Sequence, residues 1–467
     1  MISEPLVTVY ILNYNYAQYL EKCVDSSLLQ TYKNIELLVI DDGSTDESYQ
    51  VLAQYDGDLR INIIRQKNIG LVKSIANVFS LAKGEYVIRI DADDWVVPTF
   101  VESLVAEIEK DDQIAMVFPD YYEVDETGHI LHRIKRHDFS SDVTLLDQPA
   151  HGACTLTRRS AYMEVGGHNQ KLQCQDGVDI WLAITEKYKV TNYKEPLFYY
   201  RKHRRSLTTN YNKILNNRAM IYRDHAIRRG YQSERVIAFI PVREELFGER
   251  EFVLRQVGGR TLLDWTIDKA LASKEVSEIV VSTDSKRVKS YIDGLEDKRC
   301  SKQIVVHWRS KELAEQGIHV DASIRDYFNA YPVEKALPVL VMLTPNSPFS
   351  TALHVDTALY SAHIFHTQLV DSVIEDNSIL YYHNGRGLVE LAGGNIRHER
   401  DNVYIRKGGI TVYGKIHVEN IVKTSGTVED SVKGHLVIDE YSSFEIKNMN
   451  DIGMADYIAR NIIGENV

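Results

Sequence analysis

Cysteine is scarce in this chain of 467 residues, and the few that occur are widely separated. No Cys-x-x-Cys pair occurs among the four positions, Cys23, Cys154, Cys174 and Cys300. This spacing fits neither a disulfide framework nor a zinc site, and it indicates reduced thiols in the cytosol.

Long apolar runs are also missing. No stretch approaches the ~20 apolar residues that a membrane span requires. The first residues, MISEPLVTVYIL, lack the basic region and cleavage site of a leader peptide. We therefore expect a cytoplasmic protein without a transmembrane segment, and peripheral attachment to the inner face of a membrane stays open.

Positive charge is not in excess either. The chain has 54 Lys and Arg residues against 66 Asp and Glu residues, which gives a formal net charge of −12. Affinity for nucleic acid depends on a cationic surface, so DNA and RNA are excluded as main partners. With 44% hydrophobic and 26% charged residues the composition is typical of globular proteins, and the length predicts two or three domains.

A polar, basic stretch over residues 210–235 separates two apolar regions, and we predict domains at 1–231 and 232–467. In both, short β-rich runs alternate with helical patterns, which is typical of βαβ units in an α/β fold with a mostly parallel sheet. The predicted strands are 7–12, 35–40 and 85–90 in the first domain and 236–240, 278–283, 304–308 and 337–343 in the second. Helices are predicted near 17–30, 46–54 and 71–82.

Polar side chains follow the three predicted strands of the first domain at the point where each strand ends. These residues are Asn13, Tyr14, Asp41, Asp42, Asp91, Asp93 and Asp94. Ligands of open α/β sheets bind outside the carboxyl ends of the strands. Neighbouring carboxylates repel one another unless a cation neutralises them, and Mg²⁺ prefers oxygen ligands shared with substrate phosphates. Asp91-x-Asp93 therefore indicates a Mn²⁺ or Mg²⁺ site that bridges to a pyrophosphate, with a solvated acidic turn as the alternative.

Together these segments resemble the family 2 glycosyltransferases over nearly all of residues 6–210. The matching stretches are VTVYILNYNYAQYLEKCVDSSLLQTYKNIELLVIDDGSTDES, GLVKSIANVFSLAKGEYVIRIDADDW, QDGVDIW and YYRKHRRSLT, in that order. The resemblance implies a Rossmann-like GT-A fold. It also implies transfer of a sugar, with inversion, from a nucleotide-sugar donor to a glycan, lipid-linked or protein acceptor.

The same resemblance assigns roles to individual positions. Tyr14 would stack on the donor base, and Asp42, with Asp41 beside it, would contact base and ribose. Asp91 would lie against the ribose, and Asp93 would hold the metal. Asp176, in QDGVDIW, would be the catalytic base that deprotonates the acceptor hydroxyl.

His203 matches a family segment and would add positive charge near the leaving group, with a solvated basic turn as the alternative. The basic residues around it are Arg201, Lys202, Arg204 and Arg205. For His151 and Asp179 we expect structural roles.

The second domain resembles the cytidylyltransferases that activate sialic acid and related keto sugars as CMP conjugates, over most of residues 236–456. The resemblance is carried by IPVREELFGEREFVLRQVGGRTLLDWTIDKAL, LTPNSPFSTALHVDTAL and SSFEIKNMNDI, among others. It implies a second Rossmann-like nucleotide-sugar fold and a homodimer formed through this domain.

Residues that handle phosphate and metal in that family are largely replaced here. Its paired glycines are Glu244 and Glu245, its lysine is Phe247, and its Lys-Asn pair is Phe252-Val253. Carboxylates in such a loop would repel a triphosphate. The family's metal-binding Asp-x-Asp pair reads Glu445-x-Lys447, and Lys407 replaces an asparagine.

The candidate nucleotide-binding residues that remain are Arg243, Gly248, Arg397 and Glu445. We predict that CTP chemistry is lost. Two alternatives stay open: a bifunctional enzyme that also makes a CMP-keto-sugar from CTP, and a second domain that serves as a binding or dimerisation scaffold.

Overall fold

The computed structural model describes residues 4–136, 152–203, 211–232, 234–295, 301–315, 317–333, 336–376, 381–383, 388–390, 403–424 and 433–463. The chain forms two compact units. The first lies within residues 1–221 and 381–401, and the second lies within residues 222–380 and 402–467.

The first unit is built on one mixed sheet. Its strands are β1 Val7–Asn13, β2 Ile35–Asp41, β3 Ile61–Arg65, β4 Tyr86–Asp91, β5 Trp95–Val96, β6 Ile114–Val124, β7 Ile130–Ile134, β8 Leu156–Arg158 and β9 Lys189–Arg201. The strand order is β3-β2-β1-β4-β8-β6-β9-β5, with β7 paired to β6. The helices are α1 Ala17–Leu28, α2 Ser48–Ala53, α3 Leu71–Leu81, α4 Phe100–Ile108, α5 Arg159–Glu164 and α6 Asp176–Ile184, and α7 Tyr211–Arg228 follows.

Every residue of β1 is buried, as expected for a continuous apolar run inside a parallel sheet that is covered on both faces. β1 pairs in parallel with β2 and β4, and the register sets Asn13 opposite Asp41 and Leu12 opposite Asp91. The carboxyl ends of three strands therefore meet at one edge of the sheet, and they bring their polar residues with them.

The predicted strands and helices of this unit are confirmed to within a few residues. Strands β3, β5, β6, β7 and β9 were not predicted, and neither was β8, which runs antiparallel to both β4 and β6. At three residues it is too short to produce a recognisable alternation in the sequence.

The strands of the second unit are β10 Val236–Val242, β11 Glu245–Leu246, β12 Glu249–Arg250, β13 Gln256–Val257, β14 Arg260–Thr261, β15 Glu278–Thr283, β16 Gln303–Trp308, β17 Val339–Leu343, β18 Leu369–Asp376, β21 Val403–Tyr413 and β22 Lys433–Val437. Seven of them form one sheet of order β16-β15-β10-β17-β21-β18-β22. The short pair β19 Tyr381–His383 and β20 Leu388–Glu390 groups with the first unit.

The helices of the second unit are α8 Leu262–Ala272, α9 Lys286–Asp293, and then Lys311–Ala314, Val320–Ala330, Ala352–Ile364, Lys415–Lys423 and Asp451–Ile458. Strands β16, β15, β10 and β17 are parallel, whereas β21 runs antiparallel to β17. Both units thus confirm the α/β class. Within the described segments, no helix combines the length and the apolar character needed to cross a membrane.

Candidate active site

The ends of β1 and β2 carry a hydrogen-bonded group of polar side chains. The Asn13 amide donates to Asp41 Oδ1 at 3.1 Å, and the Ser44 hydroxyl donates to the same oxygen. Asp41 is buried, whereas the neighbouring Tyr14 side chain is 47% exposed. The aromatic ring that follows Asn13 is therefore open to solvent, whereas the Asp41 carboxylate is fixed by hydrogen bonds.

Asp42 anchors the loop that leads into α3. Its carboxylate accepts hydrogen bonds from Gln66 Nε2 at 2.7 Å and from the backbone N–H groups of Ile69 and Gly70 at 3.0 Å each. Gly70 has φ of 85°, a left-handed conformation that favours glycine at this turn. Asp42 therefore holds the loop in addition to any contact with a ligand.

Three carboxylates gather at the end of β4. One oxygen each from Asp91, Asp93 and Asp94 lies within 4.8 Å of the others. Asp94 is 1% exposed. It accepts the Arg201 backbone N–H through Oδ1 at 2.9 Å, and its buried Oδ2 has no hydrogen-bond partner within the described residues. Burial, and then the charges of Asp93 and Asp91, raise the pKa of Asp94.

The His203 ring contacts this acidic cluster at Asp93. Its Nε2 lies 2.9 Å from Asp93 Oδ2, and the ring lies edge-on to Tyr16 at 5.5 Å. The neighbouring basic residues are already engaged, because Arg201 donates to the carbonyls of Asp93 and Glu126 and Lys202 lies 3.0 Å from Glu123. Arg204 and Arg205 lie outside the described residues, as does His151.

Asp176 is the first residue of α6 and follows Gln175, whose φ is 64°. Its Oδ2 lies 2.7 Å from Nη1 of Arg89, a buried residue of β4. The Arg89 Nε lies 2.9 Å from Asp91 Oδ1, so one guanidinium contacts both carboxylates. Burial alone would raise the pKa of Asp176, but the charges of Arg89 and His168 and the hydrogen bonds to the carboxylate together outweigh burial, and the pKa lies below its ordinary value.

A small pocket adjoins Arg89 and Asp176. Its lining includes the aromatic and imidazole rings of Tyr10, Phe79, Tyr162 and His168. The Tyr162 hydroxyl lies 2.9 Å from His168 Nδ1, and Phe79 stacks on Tyr162. Asp179 holds the Asn169 backbone N–H at 2.8 Å, which is the structural role expected for it.

Arg89 and these four rings did not emerge as site residues from the sequence. Alternate residues of a strand share a face, so the signal for Arg89 was a cation two positions before Asp91 within an apolar strand. No comparable signal marks the rings, since isolated aromatics in apolar segments are typical of a core.

In the second unit, β11 and β12 form a hairpin whose turn residues, Phe247 and Gly248, have φ of 56° and 76°. Two consecutive positive φ values are typical of a tight hairpin turn. Glu244 lies 3.5 Å from the Lys311 ammonium. Arg243 is half-buried at the start of this segment.

Phe252 and Val253 are buried, and Phe252 shares an apolar cluster with Phe349 and Ile446, against which Leu246 of the hairpin packs. Glu445 lies 3.6 Å from the Lys407 ammonium. Lys447 is exposed, and its backbone N–H donates to Asp451. Arg397 lies outside the described residues.

The first half of the chain has clear relatives. The Glycosyl transferase family 2 model matches residues 8–166. Over 233 residues the chain is 30% identical to an uncharacterized glycosyltransferase of Haemophilus influenzae, and the match covers 46% of this chain and 71% of that protein. The chain belongs to glycosyl transferase family 2. This family 2 protein also matches the Cytidylyltransferase model over residues 251–356, so both resemblances are confirmed at the level of the family.

This family 2 protein is also 32% identical over 192 residues to the chondroitin synthase of Pasteurella multocida, which covers 40% of this chain. The chain spans about a fifth of the length of that synthase, 20%. Among solved structures it is similar to S. aureus TarS 1-349 in complex with UDP-GlcNAc, with 16% identity and a TM-score of 0.41 over 49% of this chain and 68% of that one.

Proposed function

We propose that residues 1–231 catalyse metal-dependent, inverting transfer of a sugar from a nucleotide-sugar donor, and that residues 232–467 form a cytidylyltransferase-like domain without CTP chemistry. The observation that carries the first part is the cluster of Asp91, Asp93 and Asp94, which Arg89 connects to Asp176. It combines a set of oxygen ligands with a nearby ionised carboxylate.

On the donor side, the exposed Tyr14 ring offers a stacking surface for a base, and Asn13, the residue before it, donates to Asp41. Asp42 orders the loop around residues 66–70, which would border the nucleoside. Asp91 would receive the ribose. The identity of the base and of the sugar is left to a donor screen.

A divalent cation fits the acidic cluster. Asp93, with Asp91 and Asp94 beside it, supplies only carboxylate oxygens, the ligands that Mg²⁺ and Mn²⁺ prefer. The buried Oδ2 of Asp94 has no hydrogen-bond partner among the residues that the structure describes, and a buried acceptor without a partner costs free energy that a bound cation would recover. A bound Mn²⁺ or Mg²⁺ stabilises the charge on the departing nucleoside diphosphate. His203 borders the same cluster and would stand near that leaving group.

Asp176 would accept the proton of the acceptor hydroxyl as that oxygen bonds to the anomeric carbon. The bond from the anomeric carbon to the diphosphate oxygen breaks, and the nucleoside diphosphate leaves with its electrons. The lowered pKa of Asp176 supports this role, because a base must be ionised before the proton arrives. The name of the Pasteurella multocida relative favours a polysaccharide acceptor.

We propose that the second domain has no cytidylyltransferase activity, because the residues that differ from the cytidylyltransferases pack in the core or form ion pairs within the protein. Phe252 fills an apolar cluster, and Lys407 neutralises Glu445. We expect no release of pyrophosphate from CTP with a panel of keto sugars, whereas the bifunctional alternative requires it.

The transfer reaction is tested by separate Asp93→Asn and Asp176→Asn substitutions in the full chain. Release of nucleoside diphosphate is measured from a panel of nucleotide sugars with Mn²⁺, with and without chondroitin oligosaccharides as probe acceptors. We expect each variant to lose at least about 100-fold in kcat, since each removes a group used in the transition state. Asp58→Asn, a surface carboxylate paired with Arg60, is the matched control. Wild-type rates in both test variants would contradict the assignment.

A further inference from the structure

One buried cation, Arg89, contacts both Asp91 on the proposed donor side of the site and Asp176 on the proposed acceptor side. Arg89 is 6% exposed, and its guanidinium lies 2.9 Å from Asp91 and 2.7 Å from Asp176. A charge at this depth is costly unless carboxylates compensate it. The two carboxylates come from different elements, the end of β4 and the start of α6.

The two contacts differ in kind. Nη1 donates a hydrogen bond to Asp176 Oδ2. Nε is close to Asp91, but its N–H is not aligned for a hydrogen bond and has no such partner within the described residues. Arg89 thus fixes Asp176 tightly through one oxygen, and Oδ1 remains as the second oxygen of that carboxylate.

The ion pair between Arg89 and Asp176 occupies the space that a side chain at position 152 would take, and this position is a glycine. A Cβ atom at this position would lie 2.9 Å from Asp176 Oδ2 and 3.1 Å from Arg89 Nη2. The first distance is too short for a real contact, so any side chain here must displace the carboxylate. The observed position of Asp176 therefore depends on the charge of Arg89 and on glycine at position 152.

We propose that Arg89 is a positioning residue for sugar transfer, which sets the carboxylate of Asp176 relative to the donor-side carboxylate of Asp91. This inference rests on the proposed function. Arg89 itself contacts neither sugar nor diphosphate in this account; it acts through the two carboxylates. Because small displacements of a reacting group cost large factors in rate, a defect in positioning should appear in kcat more than in donor binding.

The first test is Arg89→Lys in the full chain. An ammonium is a point charge on a flexible stem and cannot contact two carboxylates with the geometry of a guanidinium. Using the nucleotide sugar that the wild-type protein turns over, we expect kcat to fall about 10- to 100-fold and the donor KM to stay within about threefold.

Two further variants guard against a folding defect. Arg89→Ala should lose at least about 100-fold in kcat and recover part of it on addition of millimolar guanidinium, which can occupy the vacated space. Gly152→Ala keeps both charges and displaces Asp176, and it should lower kcat about tenfold with an unchanged KM. Arg158→Ala is the control, because Arg158 flanks the opposite end of β4 and pairs with Glu85.

The outcomes separate the two claims. If the wild-type protein turns over no nucleotide sugar, the proposed function fails and the role of Arg89 fails with it. If the wild-type protein is active and folded Arg89→Lys and Gly152→Ala keep its kcat, the proposed function stands and the role of Arg89 is overturned. A parallel loss of kcat and of UDP or GDP binding would also overturn it, because that pattern indicates a donor-binding residue.

Discussion

The two units differ in the partners of their acidic residues. In the first, three carboxylates converge at the end of β4 and leave a buried oxygen of Asp94 without a partner in the described part of the chain. In the second, Glu445 faces Lys407, and Glu244 lies near Lys311. In the first unit Asp91, Asp93, Asp94 and Asp176 share the guanidinium of Arg89 and the ring of His203, whereas each of these two glutamates of the second unit has a lysine of its own. Negative charge therefore remains for a metal in the first unit. The partners of the acidic residues are therefore a better guide to a cation site than the number of acidic residues in either half.

The largest expected change in stability comes from the apolar cluster around Phe252 in the second unit. Phe252 is fully buried there, at a position where the resembling family has a polar residue. Phe252→Ala should destabilise the second unit by about 3–5 kcal/mol through the cavity it leaves. Denaturant unfolding of the full chain measures the change, and turnover of the donor by the first unit should persist.

Phe247→Ala is its control, because that ring is 41% exposed and should matter far less. A loss below about 1 kcal/mol for Phe252→Ala would mean that the phenylalanine does not fill a core, contrary to the usual cost of such a cavity. The interpretation of this region as a packed, silent site would then fail.

A buried lysine of the second unit extends the comparison, since its partners are a hydroxyl and a carbonyl, whereas the buried Arg89 of the first unit contacts two carboxylates. Lys269 donates to the Ser347 carbonyl at 3.0 Å and to the Ser350 hydroxyl, and burial lowers its pKa to about 7. The folded state therefore binds fewer protons than the unfolded state between pH 7 and 10.5, so this residue makes stability rise with pH there, by up to about 1.4 kcal/mol per pH unit.

Lys269→Met should remove that rise and gain stability near pH 7, while the exposed Lys274→Met should leave the pH profile unchanged. Unfolding free energies measured from pH 6 to pH 10 test the difference. Identical slopes in wild type and Lys269→Met would show that the amine stays charged inside the fold.

The smallest change in stability is expected when the two lysines near Glu445 are replaced by the residues that the cytidylyltransferases have there. Lys407→Asn combined with Lys447→Asp should change stability by no more than about 1 kcal/mol, because both lysines are near the surface. It should not produce pyrophosphate release from CTP, since Phe252 still packs in the apolar cluster that contains Ile446, the neighbour of Glu445. Turnover of CTP by this variant would break the comparison.

Much of this arrangement could be predicted from the sequence, because local patterns encode it. Apolar runs ending in Asn13, Asp41 and Asp91 predicted three parallel strands and one polar edge. Contacts between residues far apart in the chain have no local signature. Arg89 and Asp176 are 87 residues apart, and only folding brings their charges to 2.7 Å. The pairing of Lys407 with Glu445 escaped prediction for the same reason.

Mn²⁺ binding tests the central claim most directly. The full chain is titrated with Mn²⁺ in the presence of UDP, CDP or GDP, and bound metal is followed by its electron paramagnetic resonance signal. We compare the wild-type protein with Asp93→Asn and with Glu445→Gln. The account predicts one nucleotide-dependent metal site that Asp93→Asn abolishes and Glu445→Gln leaves intact. Metal binding that survives Asp93→Asn, or that disappears in Glu445→Gln, would contradict it.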